Sequence, residues 1–413
     1  MSAASVETAC LGCGATPLID LVDFGSHAVC NHYLASQDAE VRLFPRELCQ
    51  CPQCGLIQLR QRLPAAELHS PFDWIRYGEP EGHLDELAAA AIERTGLGGS
   101  HVIYGLSYKD ASLLDRFKQR TGCRAVMLDP AADLDEPSTC AGMETIQERF
   151  DVARARRLRD RHGAARMIVV RHLMEHVQDL RRFSGAIREL LEPGGFLLVE
   201  QPDFSLPLEI HDYTTIWEER TAFYTPETLR RTLLNIGFED PELKVYRYPL
   251  EHALVGLARC RDTVPAPASL SAAVLEAELK KGAAYSSAYH GVCERLRAFL
   301  VSRLGEGGGA AVFGAGHMAS NFINLHGIQD LICFVVDDHP KKKGLFMPGT
   351  RLPIVGTPEL ASETVRLCFL TVRTEIEEKI IEANAAFTGH GGTFASILPG
   401  GPLSVHRFIS AGA

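Results

Sequence analysis

Six of the twelve cysteines fall within the first 54 residues of this 413-residue chain, at Cys10, Cys13, Cys30, Cys49, Cys51 and Cys54. Cys10-Leu-Gly-Cys13 and Cys51-Pro-Gln-Cys54 are two CxxC turns, each followed by a glycine, Gly14 and Gly55. A glycine there permits a tight turn whose backbone N–H groups point at thiolates. Two such pairs supply four sulfurs, the closed tetrahedral set of a structural zinc site with no open position for a catalytic water. Cys49 could compete with Cys51, but only Cys51 has the CPxCG context, so Cys30 and Cys49 are read as spare thiols. The spacer between the pairs is longer than the usual ~15–20 residues of a ribbon, so it holds an inserted hairpin or loop. The N-terminal stretch MSAASVETAC lacks a basic region followed by an apolar core, and no apolar run reaches the ~20 residues of a membrane span. A cytoplasmic protein is therefore expected, in which disulfides are not favoured and clustered cysteines signify metal.

Composition excludes several classes. Hydrophobic residues at 46% and charged residues at 23% are those of an ordinary globular chain. A net charge of −10 gives no global reason to bind nucleic acid or an anionic membrane. The length predicts two to four domains.

Residues 69–265 alternate helix and strand. Helix is predicted over 83–95, 111–120 and 179–191, with Pro193-Gly194-Gly195 ending the last. Strands are predicted from His101, over Ala125-Val-Met-Leu-Asp129, Met167-Ile-Val-Val170 and Phe196-Leu-Leu-Val-Glu200. Such alternation predicts a parallel sheet covered on both faces, with ligands at the carboxyl ends of its strands. Asp129, ending the second strand, is placed to accept from both hydroxyls of a ribose, or to cap the turn at Pro130. His172-Leu-Met-Glu175-His176 also matches the H-x-x-E-H zinc-protease pattern, but it follows a strand and lacks a further ligand.

Residues 266–413 begin with an Ala/Leu/Glu-rich stretch, 268–304, read as one or two long helices. A strand, Ala310-Ala-Val-Phe313, then meets Gly314-Ala-Gly316-His-Met-Ala319, and a second strand ends in Asp337-Asp338. This GxGxxA turn opening a helix suits any diphosphate. By motif alone it would hold NAD.

ELLEPGGFLLVEQP resembles the PGG turn and following strand of S-adenosylmethionine (SAM) dependent methyltransferases. Val170-Arg-His-Leu-Met-Glu-His-Val177 resembles the segment after their fourth strand. The order of two CxxC turns, this fold, then a second nucleotide-type fold resembles the sugar C-methyltransferases, which act on nucleotide-linked deoxy-ketosugars in antibiotic and surface-polysaccharide pathways. The resemblance implies an α/β chain of three parts: a zinc-binding module (1–68), a class I methyltransferase-like Rossmann domain (69–265) and a second Rossmann-like domain (266–413). It implies SAM as cofactor, structural zinc, a nucleotide-sugar substrate and no nucleic-acid or membrane partner. The oligomeric state is left open.

The resemblance also assigns residues. Ser107, Asp110, Asp129 and His172 would hold the cofactor, although the family's acid and glycines have become Gly105, Ser107 and Ala111. Trp217-Glu218-Glu219-Arg220 matches the family's active-site segment, with Arg220 where the family carries its basic histidine. Arginine cannot act as an ordinary general base but can hold an anion. Glu219, His176 or Tyr77 would then move the proton, or Arg220 would simply pair with Glu218 or Glu219. Gly314, Gly316 and Lys341 would bind the nucleotide-sugar. The other readings are a repurposed or non-methylating homologue, an NAD(P)-dependent oxidoreductase, and a zinc-ribbon interaction protein.

Overall fold

The computed structural model describes residues 8–72, 78–136 and 142–409. The chain divides into two compact units. The first takes Met1–Asp20, Leu48–Ser205 and Glu219–Lys280; the second takes Leu21–Glu47, Leu206–Glu218 and Lys281–Ala413.

The first unit is built on a six-stranded sheet. Its order is Arg124–Met127, Val102–Gly105, Ala165–Arg171, Leu191–Pro202, Ala253–Cys260 and Phe238–Tyr246. The first four run parallel, and Ala253–Cys260 lies antiparallel to both of its neighbours. Met167, Ile168, Val169 and Val170 are all fully buried, as expected of a central parallel strand covered on both faces. Alternation along the strands sorts the core. Ile103, Met167, Val169 and Leu198 pack with Leu84, Leu87, Leu113 and Phe117. Tyr104, Ile168, Val170 and Leu197 pack with Leu158, Phe183, Ile187 and Leu233. Each such apolar side chain contributes roughly 1.5–3 kcal/mol when fully buried.

The helix Leu180–Leu190 starts at Asp179, whose carboxylate accepts from Arg182 N. It ends where strand Leu191–Pro202 begins, and Gly194 takes φ 69° within that turn. The antiparallel pair at the sheet's edge has no parallel-strand signature and is not predicted from sequence. Nor are the short helices Pro130–Leu134, Met143–Arg149 and Val152–His162.

The second unit carries a five-stranded parallel sheet ordered Ile354–Val355, Ile332–Val336, Gly309–Phe313, Val365–Leu370 and Thr393–Ser396. By chain order this is 3-2-1-4-5, the doubly wound arrangement, whose switch point lies at the carboxyl end of Gly309–Phe313. Residues Ala272–Leu304 form one continuous helix of 33 residues. No helix among the described residues is long and apolar enough to cross a membrane.

Candidate active site

The four predicted metal ligands come together. The sulfurs of Cys10, Cys13, Cys51 and Cys54 all lie within 4.8 Å of one another, with Cys10–Cys54 and Cys13–Cys51 at 3.5 Å. A tetrahedral zinc with ~2.3 Å Zn–S bonds requires sulfurs about 3.8 Å apart, so the set fits that ion. Gly14 N and Gly55 N close the two turns onto Cys10 O and Cys51 O, with φ of 79° and 73°. Gln53 N and Cys54 N both point at the Cys51 sulfur. The first turn is locked to the helix Pro226–Asn235, where Asn235 Nδ2 donates to Gly12 O. Cys49 instead faces Gln58 O and lies outside the set. Among the described residues no other group of His, Cys, Asp or Glu is arranged to hold a metal, which leaves the H-x-x-E-H pattern without one.

At the carboxyl ends of the central strands, Ser107 caps the short turn Tyr108–Asp110. Asp110 is fully buried and spends both oxygens on backbone: Oδ2 accepts from Leu106 N and Ser107 N, and Oδ1 from Arg171 N. Burial pushes its carboxyl up to about 7 against those bonds. Asp110 therefore shapes the turn, and its expected contact with a cofactor has no free oxygen to make it. A β-carbon on Gly105 would lie 2.7 Å from Leu114 Cδ1 and 2.8 Å from Asp110 Cβ. The family's acid has no room at that position, which is why glycine stands there. Asp129 takes the second of the two roles the sequence allowed, the cap. Its Oδ1 accepts from Ala131 N and Ala132 N as a helix cap, while Oδ2, exposed, has no hydrogen bond among the described residues.

Beside this turn lies a dense ion cluster. His172 adopts φ 49°, the left-handed region that costs a bulky side chain about 1–2 kcal/mol. Its Nε2 is 3.2 Å from Glu200 Oε1; its Nδ1 is 3.7 Å from Glu175 Oε1 and 3.8 Å from Glu79 Oε2. Burial works to discharge the ring, but the carboxylates of Glu79, Glu175 and Glu200 raise it to about 9. Glu79 also pairs with Lys109. Burial opposes the Glu79 charge, yet His172 and Lys109 hold the carboxyl down to about 2. Arg171, fully buried, grips Glu200 through Nε and Nη2 at 2.7 and 3.1 Å, and His83 Nε2 stands 3.3 Å from the same carboxylate. None of Glu79, Lys109, Arg171 or Glu200 was singled out by sequence. Only Glu200 carried a signal, as the acid ending a predicted strand.

The family's active-site segment leads to two surroundings. His176 Nδ1–H donates to Glu219 O at 2.9 Å, leaving Nε2 3.8 Å from Glu175 Oε1. Burial keeps this ring below its ordinary pKa, hence neutral. Arg220 pairs with neither Glu218 nor Glu219. It makes a bidentate bridge to Glu251, Nη1–Oε1 2.6 Å and Nη2–Oε2 2.9 Å. Glu218 belongs to the second unit, where it meets Arg46 at 2.9 Å and the thiol of Cys30 at 3.2 Å, so Cys30 is not a spare thiol. Trp217 stacks on His317 with ring centroids 4.8 Å apart. Tyr77 lies outside the described residues. Breaking the Arg220–Glu251 bridge leaves a buried charge alone, so Arg220→Met is expected to cost about 3 kcal/mol, and Arg220→Met with Glu251→Met to recover most of it. Urea unfolding of both variants measures this. Equal loss in the single and double variants would show that the bridge is not what holds the segment.

In the second unit, Gly314 takes φ 104° at the end of the first strand, and Gly316 opens the helix His317–Leu325. Asp337 Oδ2 accepts from Ala315 N and from Lys342 Nζ, and Oδ1 from His339 N. Tyr33 Oη–H and Lys342 Nζ both donate to Ala315 O. The acid that a dinucleotide would need for its ribose is thus committed to the turn. Lys342, rather than Lys341, reaches the turn; Lys341 is exposed.

Three family models match the chain in order: a zinc binding domain over residues 10–69, a methyltransferase domain over 106–243, and a C-methyltransferase C-terminal domain over 268–399. C-methyltransferase NovU of Streptomyces niveus is 26% identical over 97% of this chain and 97% of its own. The chain is similar to C-methyltransferases along its length. It carries a methyltransferase domain and a zinc-binding domain built on four cysteines. Among solved structures, a 1,6-didemethyltoxoflavin-N1-methyltransferase of Burkholderia thailandensis is 15% identical, covering 44% of this chain and 80% of that chain at a TM-score of 0.30. A SAM dependent methyltransferase of Archaeoglobus fulgidus is 13% identical, covering 42% and 94% at a TM-score of 0.30.

Proposed function

We propose that this protein adds a methyl group to the carbon beside the ketone of a nucleotide-linked ketosugar, through an enolate. The observation that carries the reading is the arrangement of proton-handling and charged groups around His176, Glu219 and Arg220 at the carboxyl ends of the central sheet. The full-length similarity to a C-methyltransferase supports transfer to carbon.

SAM supplies an electrophilic methyl group. The residues present suit it: Asp129 Oδ2 can accept from the ribose, and Lys109, His172 and Glu79 offer both signs of charge to a zwitterionic amino-acid end. Ser107 stands at the start of that turn, and Asp110 braces the turn's backbone in place of the missing glycines. His176 and Glu219 surround the departing proton. Arg220 stays charged and lends positive potential where enolate charge develops. In the second unit, the N–H groups of Gly314, Ala315 and Gly316 are bonded to Val336 O, Asp337 Oδ2 and Gly314 O, so a diphosphate would meet the first turn of the helix His317–Leu325 instead, with Lys342 in place of the expected Lys341 as the nearby cation. Tyr77 keeps the catalytic role that the family resemblance gives it.

Calorimetric titration with SAM, S-adenosylhomocysteine, NAD and a dTDP-linked ketosugar tests this reading. Micromolar SAM binding with no NAD binding is expected; no SAM binding at millimolar concentration overturns it. Asp129→Asn keeps the helix cap, because Asn caps as well as Asp. It is expected to weaken SAM roughly 10-fold, the loss of one charge-assisted hydrogen bond of about 1.5 kcal/mol. An unchanged affinity would remove Asp129 from the cofactor site.

A further inference from the structure

We propose that Lys109 and His172 form the seat for the carboxylate of the cofactor's amino-acid end, and that Glu79 occupies this seat as an internal competitor until the cofactor displaces it. The assignment rests on the SAM reading above. Strand Val102–Gly105 pairs in parallel with Arg124–Met127 on one side and with Ala165–Arg171 on the other. Chain order reverses there, so the carboxyl ends of Val102–Gly105 and Ala165–Arg171 border the crevice in which such sheets hold their ligands. Lys109 stands in the turn that follows the first of these strands, and His172 directly follows the second.

The framework fixes the two cations. Arg171 Nη1 donates to Lys109 O at 2.5 Å, and Asp110 ties the same turn to Arg171 N. His172 N donates to Glu200 O at 2.6 Å, and its ring reaches the Glu200 carboxylate. What lies across the cations comes from residues 78–83, a segment with neither helix nor strand. Glu79 presents one carboxylate oxygen to each of them: Oε1 accepts from Lys109 Nζ, and Oε2 is 3.8 Å from His172 Nδ1. One oxygen per cation is how a free carboxylate would be held there. Glu81 adds a second latch, accepting from Ser112 Oγ and lying 3.9 Å from Arg171 Nη1. The segment is anchored at its far end by the buried His83. That ring packs on Tyr246 with centroids 4.4 Å apart, and its Nδ1 is 2.9 Å from Tyr248 Oη.

The side chains of Lys109 and His172 are only 11% and 6% exposed, and that of Glu79 is 20% exposed. An anion entering the seat must replace Glu79 rather than join it, because two carboxylates on one pair of cations repel each other. His172 keeps Glu175 and Glu200 beside it when Glu79 leaves, so the exchange does not strand the ring. The ammonium of the same zwitterion meets Glu79 only after the exchange, at the more exposed rim, where an ion pair contributes little. The buried pairs that must open outweigh that contact. Glu79 therefore lowers the affinity for ligands that carry the carboxylate and leaves alone those that lack it.

The experiment is calorimetric titration of the full chain with SAM, S-adenosylhomocysteine and 5′-methylthioadenosine, the last of which keeps the adenosine and thioether but lacks the amino-acid end. Glu79→Gln is expected to bind SAM and S-adenosylhomocysteine about 10-fold more tightly than wild type, and 5′-methylthioadenosine within about twofold of it. Glu79→Ala empties the same seat. Excess acetate is expected to weaken its SAM binding beyond the effect of chloride at equal ionic strength, and to leave its 5′-methylthioadenosine binding and the wild type alone. This second variant carries the test if Glu79→Gln does not fold. SAM affinity that is unchanged or weaker in Glu79→Gln overturns the assignment and leaves the SAM reading standing. So does 5′-methylthioadenosine affinity that rises along with that of SAM, or acetate that acts on Glu79→Ala no differently from chloride. Wild type and variants that bind neither SAM nor 5′-methylthioadenosine overturn the SAM reading and the assignment together.

Discussion

Chelating the metal from the Cys10–Cys13–Cys51–Cys54 set is expected to unfold the zinc module and lower the melting temperature by more than about 10 °C. Structural zinc contributes on the order of 10–16 kcal/mol of apparent binding energy, comparable to or larger than the ~5–15 kcal/mol net stability of a domain. The four sulfurs come from two turns that pack on the edge of the main core, and a bound ion ties those turns to each other. The effect should spread, because the first turn is bonded to the helix Pro226–Asn235 through Gly12 and Asn235. Elemental analysis should give one zinc per chain, and Cys51→Ser should reproduce the chelated state. A zinc-free chain with unchanged melting would sink this expectation. Cys49→Ser, outside the set, should keep full zinc content.

The second large effect concerns His172. Its pKa in the fold is about 9, above the ~6.5 of an unperturbed imidazole in the unfolded chain. The stabilisation from the charged ring is therefore fully present below about pH 6.5 and is lost as pH rises through 9. Its size is on the order of 3 kcal/mol. Glu79 has the opposite sense. Its carboxyl is held at about 2, so its contribution is present above the ordinary carboxyl pKa of about 4.3 and is lost as pH falls through 2. Denaturant unfolding at pH 6.5 and pH 9.5, in wild type and His172→Gln, isolates the imidazolium. Wild type should lose about 3 kcal/mol more than the variant over that interval. A difference below about 1 kcal/mol would mean that the three carboxylates do not hold a charged ring.

Much of the framework was legible because it depends on short-range signals. The apolar run Met167–Val170 can only be a central strand or a buried helix, and the glycines at 194 and 195 end the preceding helix. The sheet strand Ala165–Arg171 extends that run by a few residues in all. The antiparallel edge pair was not legible, because Phe238–Tyr246 mixes Glu239, Asp240, Glu242 and Lys244 with apolar residues on a half-exposed edge. The helix Met143–Arg149 is seven residues long, too short for a periodic pattern to announce itself.

What the sequence by itself determined was chemistry tied to local spacing. Two CxxC turns with their glycines specified a metal set, and a strand followed by GxGxxA specified a tight turn opening a helix. Such motifs work within a few residues, so spacing alone identifies them. Only the tertiary structure decided which charges neutralise which. The consecutive side chains of Glu218, Glu219 and Arg220 have different fates, and Arg220 finds its partner 31 positions away at Glu251. Asp110, Asp129 and Asp337 are all acids near ends of strands. Only the hydrogen bonds around them show that two are committed to their own turns while one keeps a free oxygen. An ion pair forms between whatever groups the fold brings within about 4 Å, and that distance is unrelated to separation along the chain.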